Sequence, residues 1–231
     1  MTDPAVENVA AAALDLVADG MHIGLGTGHA ALAFVSQLAD RARGGLRVVA
    51  VPTSEATAAQ ARSLGIHLGS LNGDEELALT VDGADEVAPN LDLVKGFGGA
   101  LVRERIVAAA SYRQVILVAH DKLVDRLGMR GRIPIEVVPF ACRPVLRRIR
   151  ALGLEPVVRV EGTRPVLSDN SNLTIDCGLA APLSDSEAAH QLQSELRSIP
   201  GVVDTGLFLG TAERVLVGYP DGRVAVLRAK E

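Results

Sequence analysis

Short apolar runs, each closed by a loop and followed by an amphipathic stretch, recur through the first 130 residues and constrain the fold more than any other feature. Met21 to Leu25 runs into Gly26-Thr27-Gly28-His29. Leu77 to Asp82 has no polar residue but Thr80 before its terminal acid, and Val115 to Ala119 is apolar throughout. Strands without polar alternation are covered on both faces, which calls for crossover helices and a mostly parallel sheet. The intervening segments supply them. Val6, Val9, Ala10, Ala13, Leu14 and Val17 fall at helical spacing over residues 5–18. Further helices are predicted over Ala30 to Leu38, over Ser54 to Leu64 with Gly65 ending the last turn, and over about Ala100 to Ala110. Arg47 to Val51 and Leu91 to Lys95 add strands.

The rhythm changes near Gly128, Gly131 and Pro134. The order becomes strand (Ile135 to Val138), helix (Arg143 to Leu152), strand (Pro156 to Val160), strand (Leu173 to Cys177), helix (Asp185 to Ser198) and strand (Gly201 to Asp204). That βαββαβ order is the ferredoxin-like arrangement. From Leu207 onward, Val215 to Val217 and Val224 to Leu227 are expected to return to the first sheet. The expected architecture is α/β: a mostly parallel, Rossmann-like domain of residues 1–130 plus 207–231, with a smaller ferredoxin-like α+β domain of residues 131–206.

Composition narrows the function classes. At 231 residues, with 48% hydrophobic, 22% charged and only 3% aromatic residues, the chain is a globule with an aliphatic core. No apolar run approaches the roughly 18–20 residues of a membrane helix, and Asp3 and Glu7 stand where a signal peptide has basic residues. A cytoplasmic protein with no membrane partner is expected. A net charge of −5 and the absence of Trp argue against nucleic acid, and Arg143, Arg147, Arg148 and Arg150 fit the solvated face of one amphipathic helix. Cys142 and Cys177 form no CxxC, and the five histidines include no i, i+4 pair, so neither a disulfide framework nor a metal is predicted. Among 23 basic residues only three are lysine, Lys95, Lys122 and Lys230.

Four segments carry candidate chemistry. Gly24 to His29 lies between a strand and a helix, where backbone N–H groups converge on an anion, phosphate being the natural guess. A tight turn with no ligand is the alternative. The looser dinucleotide pattern (Gly26, Gly28, Ala31) lacks an acid after the second strand, which ends in Val51-Pro52-Thr53, and no Walker lysine follows. Thr53 and Ser54 read first as helix caps. Asp82-Gly83-Ala84-Asp85-Glu86 places acids at the carboxyl end of a buried strand, where such folds bind ligands. Cap and turn roles can account for Asp85 and Glu86, less readily for Asp82. Lys95-Gly96-Phe97-Gly98-Gly99 then opens a helix whose only charged turn is Arg103-Glu104-Arg105. Glu104 has Ala100, Leu101, Val107 and Ala108 as helical neighbours, and desolvation there would tune a general base. An ion pair with an arginine elsewhere is the other reading, and helix phase alone does not choose among the three. His120-Asp121-Lys122 puts a second scarce lysine at a strand end, suited to a phosphate or an enediolate.

In this order and spacing, Gly24 to Gly28, Asp82 to Glu86, Lys95 to Glu104 and Lys122 resemble ribose-5-phosphate isomerase of type A. The resemblance runs nearly end to end, through Pro134-Ile135-Glu136-Val137, Asp169-Asn170-Ser171-Asn172 with Asp176, and Ile199-Pro200-Gly201-Val202-Val203. It implies an aldose–ketose isomerase of the pentose phosphate pathway, without metal or cofactor, interconverting ribose 5-phosphate and ribulose 5-phosphate as a homodimer or homotetramer. By the same resemblance Glu104 is the general base between C2 and C1. Asp82, Asp85 and Lys95, with the intervening Gly83 and Ala84 and the adjoining Gly96, Phe97 and Gly98, line the sugar end. Thr27, Gly28, His29 and Ala30 match the phosphate-side loop, and Lys122 is a further ligand contact. The departures are His29-Ala30 where the family usually has Ser-Thr, Phe97 where glycine is usual, Ala119 where aspartate often stands, and no lysine before Lys95. Two other readings therefore stay open: an isomerase of another sugar or sugar phosphate, and a sugar-phosphate sensor without turnover.

Overall fold

The computed structural model describes residues 3–73 and 76–228, so Lys230 lies outside the described residues. Helix α1 (Pro4–Leu14) starts at Asp3, whose carboxylate accepts the Ala5 N–H. Strand β1 (Met21–Leu25), helix α2 (His29–Arg43), strand β2 (Val48–Pro52), helix α3 (Glu55–Ser63) and strand β3 (Leu79–Gly83) follow. Then come β4 (Glu86–Val87), β5 (Leu93–Val94), α4 (Leu101–Ala109) and β6 (Gln114–Ala119), the last running into a short 3-10 turn at His120–Lys122. Strand β7 (Arg132–Val137), helix α5 (Cys142–Ala151), strand β8 (Glu155–Val158), the pair β9 (Val160–Glu161) and β10 (Arg164–Pro165), strand β11 (Leu173–Gly178), helix α6 (Ser186–Arg197) and strand β12 (Val202–Thr205) come next. The described chain closes with β13 (Leu207–Phe208), β14 (Arg214–Gly218) and β15 (Val224–Arg228).

The chain divides into two compact units: unit 1 is Met1–Ala84, Arg103–Lys122 and Thr211–Glu231, and unit 2 is Asp85–Val102 and Leu123–Gly210. This division departs from the expected boundaries. Residues 85–102, 123–130 and 207–210 group with unit 2, because β13, β5 and β4 pair there as an antiparallel sheet. Sequence announces β5, within Leu91 to Lys95, but the two-residue strands β4 and β13 show no periodicity of their own.

Unit 1 is a six-stranded sheet in the order β15-β14-β6-β3-β1-β2, parallel except for β15. Ile23, Leu25, Leu79, Val81, Val115 and Leu117 point to one face and pack with Val9, Ala13, Phe34 and Leu38 of α1 and α2. The alternate positions point the other way. There Gly24 lies under Val107 of α4, which also packs with Val51 and Leu77. Period-2 alternation therefore puts Thr80 and Asp82 on the face that α4 covers.

Unit 2 contains a four-stranded antiparallel sheet ordered β12-β7-β11-β8. Numbered within this motif the order is 4-1-3-2, that of a ferredoxin-like βαββαβ unit. Ile133, Ile135, Val137, Ile175 and Cys177 form its apolar face, packed with Val145 and Ile149 of α5 and Leu192 and Leu196 of α6. Arg132, Glu136, Thr174 and Asp176 take the alternate positions on the opposite face.

Candidate active site

In unit 1 the strand order reverses at β1: the chain passes from β1 to β2 on one side, then returns to β3 on the other. Ligands of open parallel sheets bind outside the carboxyl ends at such a switch point. The Gly26–Gly28 loop leaves β1 there, and Asp82 sits near the end of β3. Asp82 is buried, 1% exposed, and its Oδ1 accepts the N–H groups of Thr27 (3.1 Å) and Gly83 (2.7 Å). Only glycine fits at position 26, because a Cβ there would lie 2.1 Å from Asp82 Oδ1. Gly28 serves another purpose: it has open space around it but a φ of 99°, and it starts α2 without any side-chain cap. The first-turn N–H groups of α2 have no acceptor within the helix and face the end where an anion is stabilised. Of the residues there, His29 is exposed, while Ala30 belongs to the aliphatic core.

The Thr27 hydroxyl is the hub of a buried cluster. It lies 2.8 Å from Thr53 Oγ1, donates to Ser54 Oγ at 2.8 Å, and lies 3.3 Å from Thr57 Oγ1, while Thr57 Oγ1 donates to the Gly26 carbonyl at 2.9 Å. Ser54 is also the N-cap of α3, accepting the Thr57 N–H at 3.1 Å. The cap expected from sequence thus also braces the glycine loop. Thr57, three positions after the capping serine, completes the cluster.

Helix α4 settles the phase question. Glu104 is 5% exposed and shares the inward face with Leu101 and Val107, whereas Arg103 reaches out to Glu55 at 3.0 Å. Asp82 and Glu104 therefore belong to the same face of the unit 1 sheet. Lys122, at the end of β6, is partly exposed with Asp121 3.8 Å away, and its neighbour His120 stacks on Tyr219 at 5.6 Å.

In unit 2, Asp85 Oδ2 accepts the Phe97 N–H at 2.9 Å, so that acid and the Lys95–Gly98 loop hold each other. Lys95 is 2% exposed; its N–H donates to the Gly206 carbonyl at 2.8 Å and its ammonium lies 5.5 Å from the centre of the Phe208 ring. Gly96, at a φ of 98°, leaves room for Leu101. Glu86 has a different task. It is fully buried, and its two oxygens accept the N–H groups of Gly128 and Arg130, so it ties down the loop before β7. Among the described residues no cluster of three or more His, Cys, Asp or Glu side chains could hold a metal ion, and no helix is long and apolar enough to cross a membrane.

Residues 49–222 match the family described as Ribose 5-phosphate isomerase A (phosphoriboisomerase A). The chain is 46% identical to ribose-5-phosphate isomerase A of Gloeobacter violaceus over 222 residues, covering 96% of this chain and 94% of that one. The chain belongs to the ribose-5-phosphate isomerase A family. Its backbone agrees with those of solved isomerases. The ribose 5-phosphate isomerase A of Methanocaldococcus jannaschii superposes with a TM-score of 0.91 at 38% identity, covering 99% of this chain and all of that one. A D-ribose-5-phosphate isomerase solved in complex with phospho-erythronic acid gives 0.92 at 34%, covering 99% of each.

Within this isomerase A fold, the expected residues fall into two groups. Unit 1 holds Thr27, Gly28, His29, Ala30, Asp82, Gly83, Ala84, Glu104 and Lys122, and unit 2 holds Asp85, Lys95, Gly96, Phe97 and Gly98. One participant had no sequence signal of its own: Arg159, whose guanidinium donates to the carbonyls of Gly96 (3.1 Å) and Phe97 (2.8 Å).

Proposed function

We propose that this protein interconverts D-ribose 5-phosphate and D-ribulose 5-phosphate through an enediolate, in the non-oxidative pentose phosphate pathway. Membership of the isomerase A family carries the reading. The burial of a single carboxylate, Glu104, on an otherwise apolar helix face supports its role as base. Glu104 takes the proton from C2 of the open-chain aldose and returns it to C1, leaving the ketose. A buried carboxylate on the sheet face that also carries Asp82 is placed to act on a carbon acid. Lys95 steadies the enediolate oxygen, and Asp82 and Asp85 exchange protons with the sugar hydroxyls and assist ring opening. Asp82 and Asp85 are each held by backbone N–H groups of their own unit, so little reorganisation of these two is needed as charge develops.

The start of α2, from Thr27 to Ala30, receives the phosphate through backbone N–H groups, with Lys122 as a further cation. The Thr27 hydroxyl is engaged with Thr53, Ser54 and Thr57, so the loop offers its backbone and the ring of His29. The resemblance further suggests a cytoplasmic homodimer; Val157, Val160 and Leu167 of unit 2 expose apolar surface that a second copy would cover. Sedimentation velocity tests that assembly.

Turnover of ribose 5-phosphate, unchanged by EDTA, is the expected result. Glu104→Gln is expected to lower kcat by about 10³-fold with the melting temperature little changed. Wild-type turnover in that variant would remove Glu104 as the base. Calorimetric binding of ribose 5-phosphate with no isomerisation over hours would replace the enzyme reading with a sensor.

A further inference from the structure

The face of the unit 2 sheet opposite α5 and α6 carries a charged cluster with no part in the chemistry above. Asp176, opposite Pro134 on β7 and Val157 on β8, accepts a forked pair of bonds from Arg159, from Nη2 at 2.7 Å to Oδ1 and from Nε at 2.9 Å to Oδ2. Arg132 approaches the same carboxylate at 3.3 Å. Both arginines then meet the loop that carries Lys95. Arg159 spends its third nitrogen on the carbonyls of Gly96 and Phe97, and the Arg132 guanidinium lies over the Phe97 ring, 4.2 Å from its centre.

We infer that Arg159, locked by Asp176, is a positioning residue that sets the orientation of the Gly96 and Phe97 peptides and through them the placing of Lys95 and Asp85. The cluster sits where loop orientation is otherwise underdetermined. Gly96 and Gly99 have φ of 98° and 84°, a region glycine enters without steric penalty. Local chain stiffness therefore does not choose the orientation. The Phe97 N–H is given to Asp85, so the way this peptide faces decides whether that bond to the carboxylate forms. A planar guanidinium can bind a carboxylate with one edge and two carbonyls with the remaining nitrogen, whereas an ammonium cannot span both. The pair is also sheltered, with side-chain exposures of 16% for Arg159 and 13% for Asp176, which limits screening by water. Phe97 gives Arg132 a ring to stack on, a second tether at a position where glycine would offer none.

The catalytic consequence rests on the isomerase reading, since it is Lys95 and Asp85 that are placed. A misplacement of the order of 1 Å is expected to lower the rate by about 100-fold. Arg159→Ala should therefore lose about 100-fold in kcat on ribose 5-phosphate with KM within about threefold, and added guanidinium should restore part of the rate. Arg159→Lys should stay well below wild type despite its charge. Independently of activity, hydrogen exchange of the 95–99 amides should quicken in Arg159→Ala while β7 and β11 stay protected. Arg148→Ala, on the solvent face of α5, controls for the change in charge. If exchange at 95–99 is unchanged in Arg159→Ala, or if kcat matches wild type, the inference is wrong. If wild type itself fails to turn over the sugar phosphate, the functional reading falls and the exchange result still decides the positioning role.

Discussion

The amide of Thr27 donates to Oδ1 of Asp82 at 3.1 Å, joining the loop after β1 to the end of β3 at the point where the strand order reverses. This bond demands a close backbone approach, and Gly26 permits it. In Gly26→Ala the new methyl would lie 2.1 Å from the carboxylate oxygen and 2.5 Å from Asp82 Cα. Because one of those atoms is backbone, rotation of a side chain cannot relieve the clash. A loss of about 3 kcal/mol in chemical denaturation is expected, with little activity left in the folded fraction. Gly28→Ala, strained only in its backbone conformation, should lose about 1–3 kcal/mol. Equal losses at the two positions would contradict the assignment.

The hydroxyl hub predicts energetic coupling across the loop. Thr27 and Ser54 are bonded at 2.8 Å, and Ser54 also caps α3. Ser54→Ala is expected to lose about 1 kcal/mol from the cap alone. Combining it with Thr27→Val should then be less damaging than the sum of the single losses by about 0.5–1.5 kcal/mol, the size of one shared hydrogen bond. Strict additivity in urea titrations would mean the hydroxyls are neighbours without being partners.

Glu86 should separate from the two aspartates that precede it. Glu86→Ala leaves the buried N–H of Gly128 and the part-buried N–H of Arg130 without this acceptor, a loss expected at about 2–4 kcal/mol. Its kcat, corrected for the folded fraction, should remain near wild type. Asp85→Asn is expected to behave in the opposite way, staying folded while kcat falls. A large kcat effect at Glu86 with unchanged stability would reverse these roles.

The two thiols should differ in reactivity. Burial, with a smaller contribution from the nearby Asp176 charge, pushes the Cys177 thiol up to about 12. Cys142 is partly exposed. At pH 8 a maleimide should therefore label Cys142 and leave Cys177 unmodified until the protein unfolds. The raised value has a consequence for stability. The unfolded thiol loses its proton near pH 9 while the folded one keeps it, so this contribution is complete below pH 9 and is lost as the pH rises towards 12. The slope is about 1.4 kcal/mol per pH unit. Cys177→Ala should abolish that slope; a wild-type profile that is already flat would contradict it.

Local pattern alone carried the strands and helices of both sheets, the glycine loop after β1, and the acids and lysines at strand ends. Each is written in the spacing of residues one to four apart, where alternation and helical periodicity are physical consequences of the backbone. The inward phase of Glu104 is of another kind, because Arg103 and Arg105 have equally apolar helical neighbours; packing of Val107 over Gly24 chose among them. So is the grouping of residues 85–102 with unit 2, which follows from pairing of the two-residue strands β13, β5 and β4. The bond between Thr27 and Asp82 joins residues 55 apart, and that between Arg159 and Gly96 residues 63 apart. Sequence placed Thr27 as a candidate within the glycine loop that follows a strand, and Asp82 as the acid at the end of one. Arg159 acts through two backbone carbonyls, which every residue possesses, so only the folded chain could reveal it.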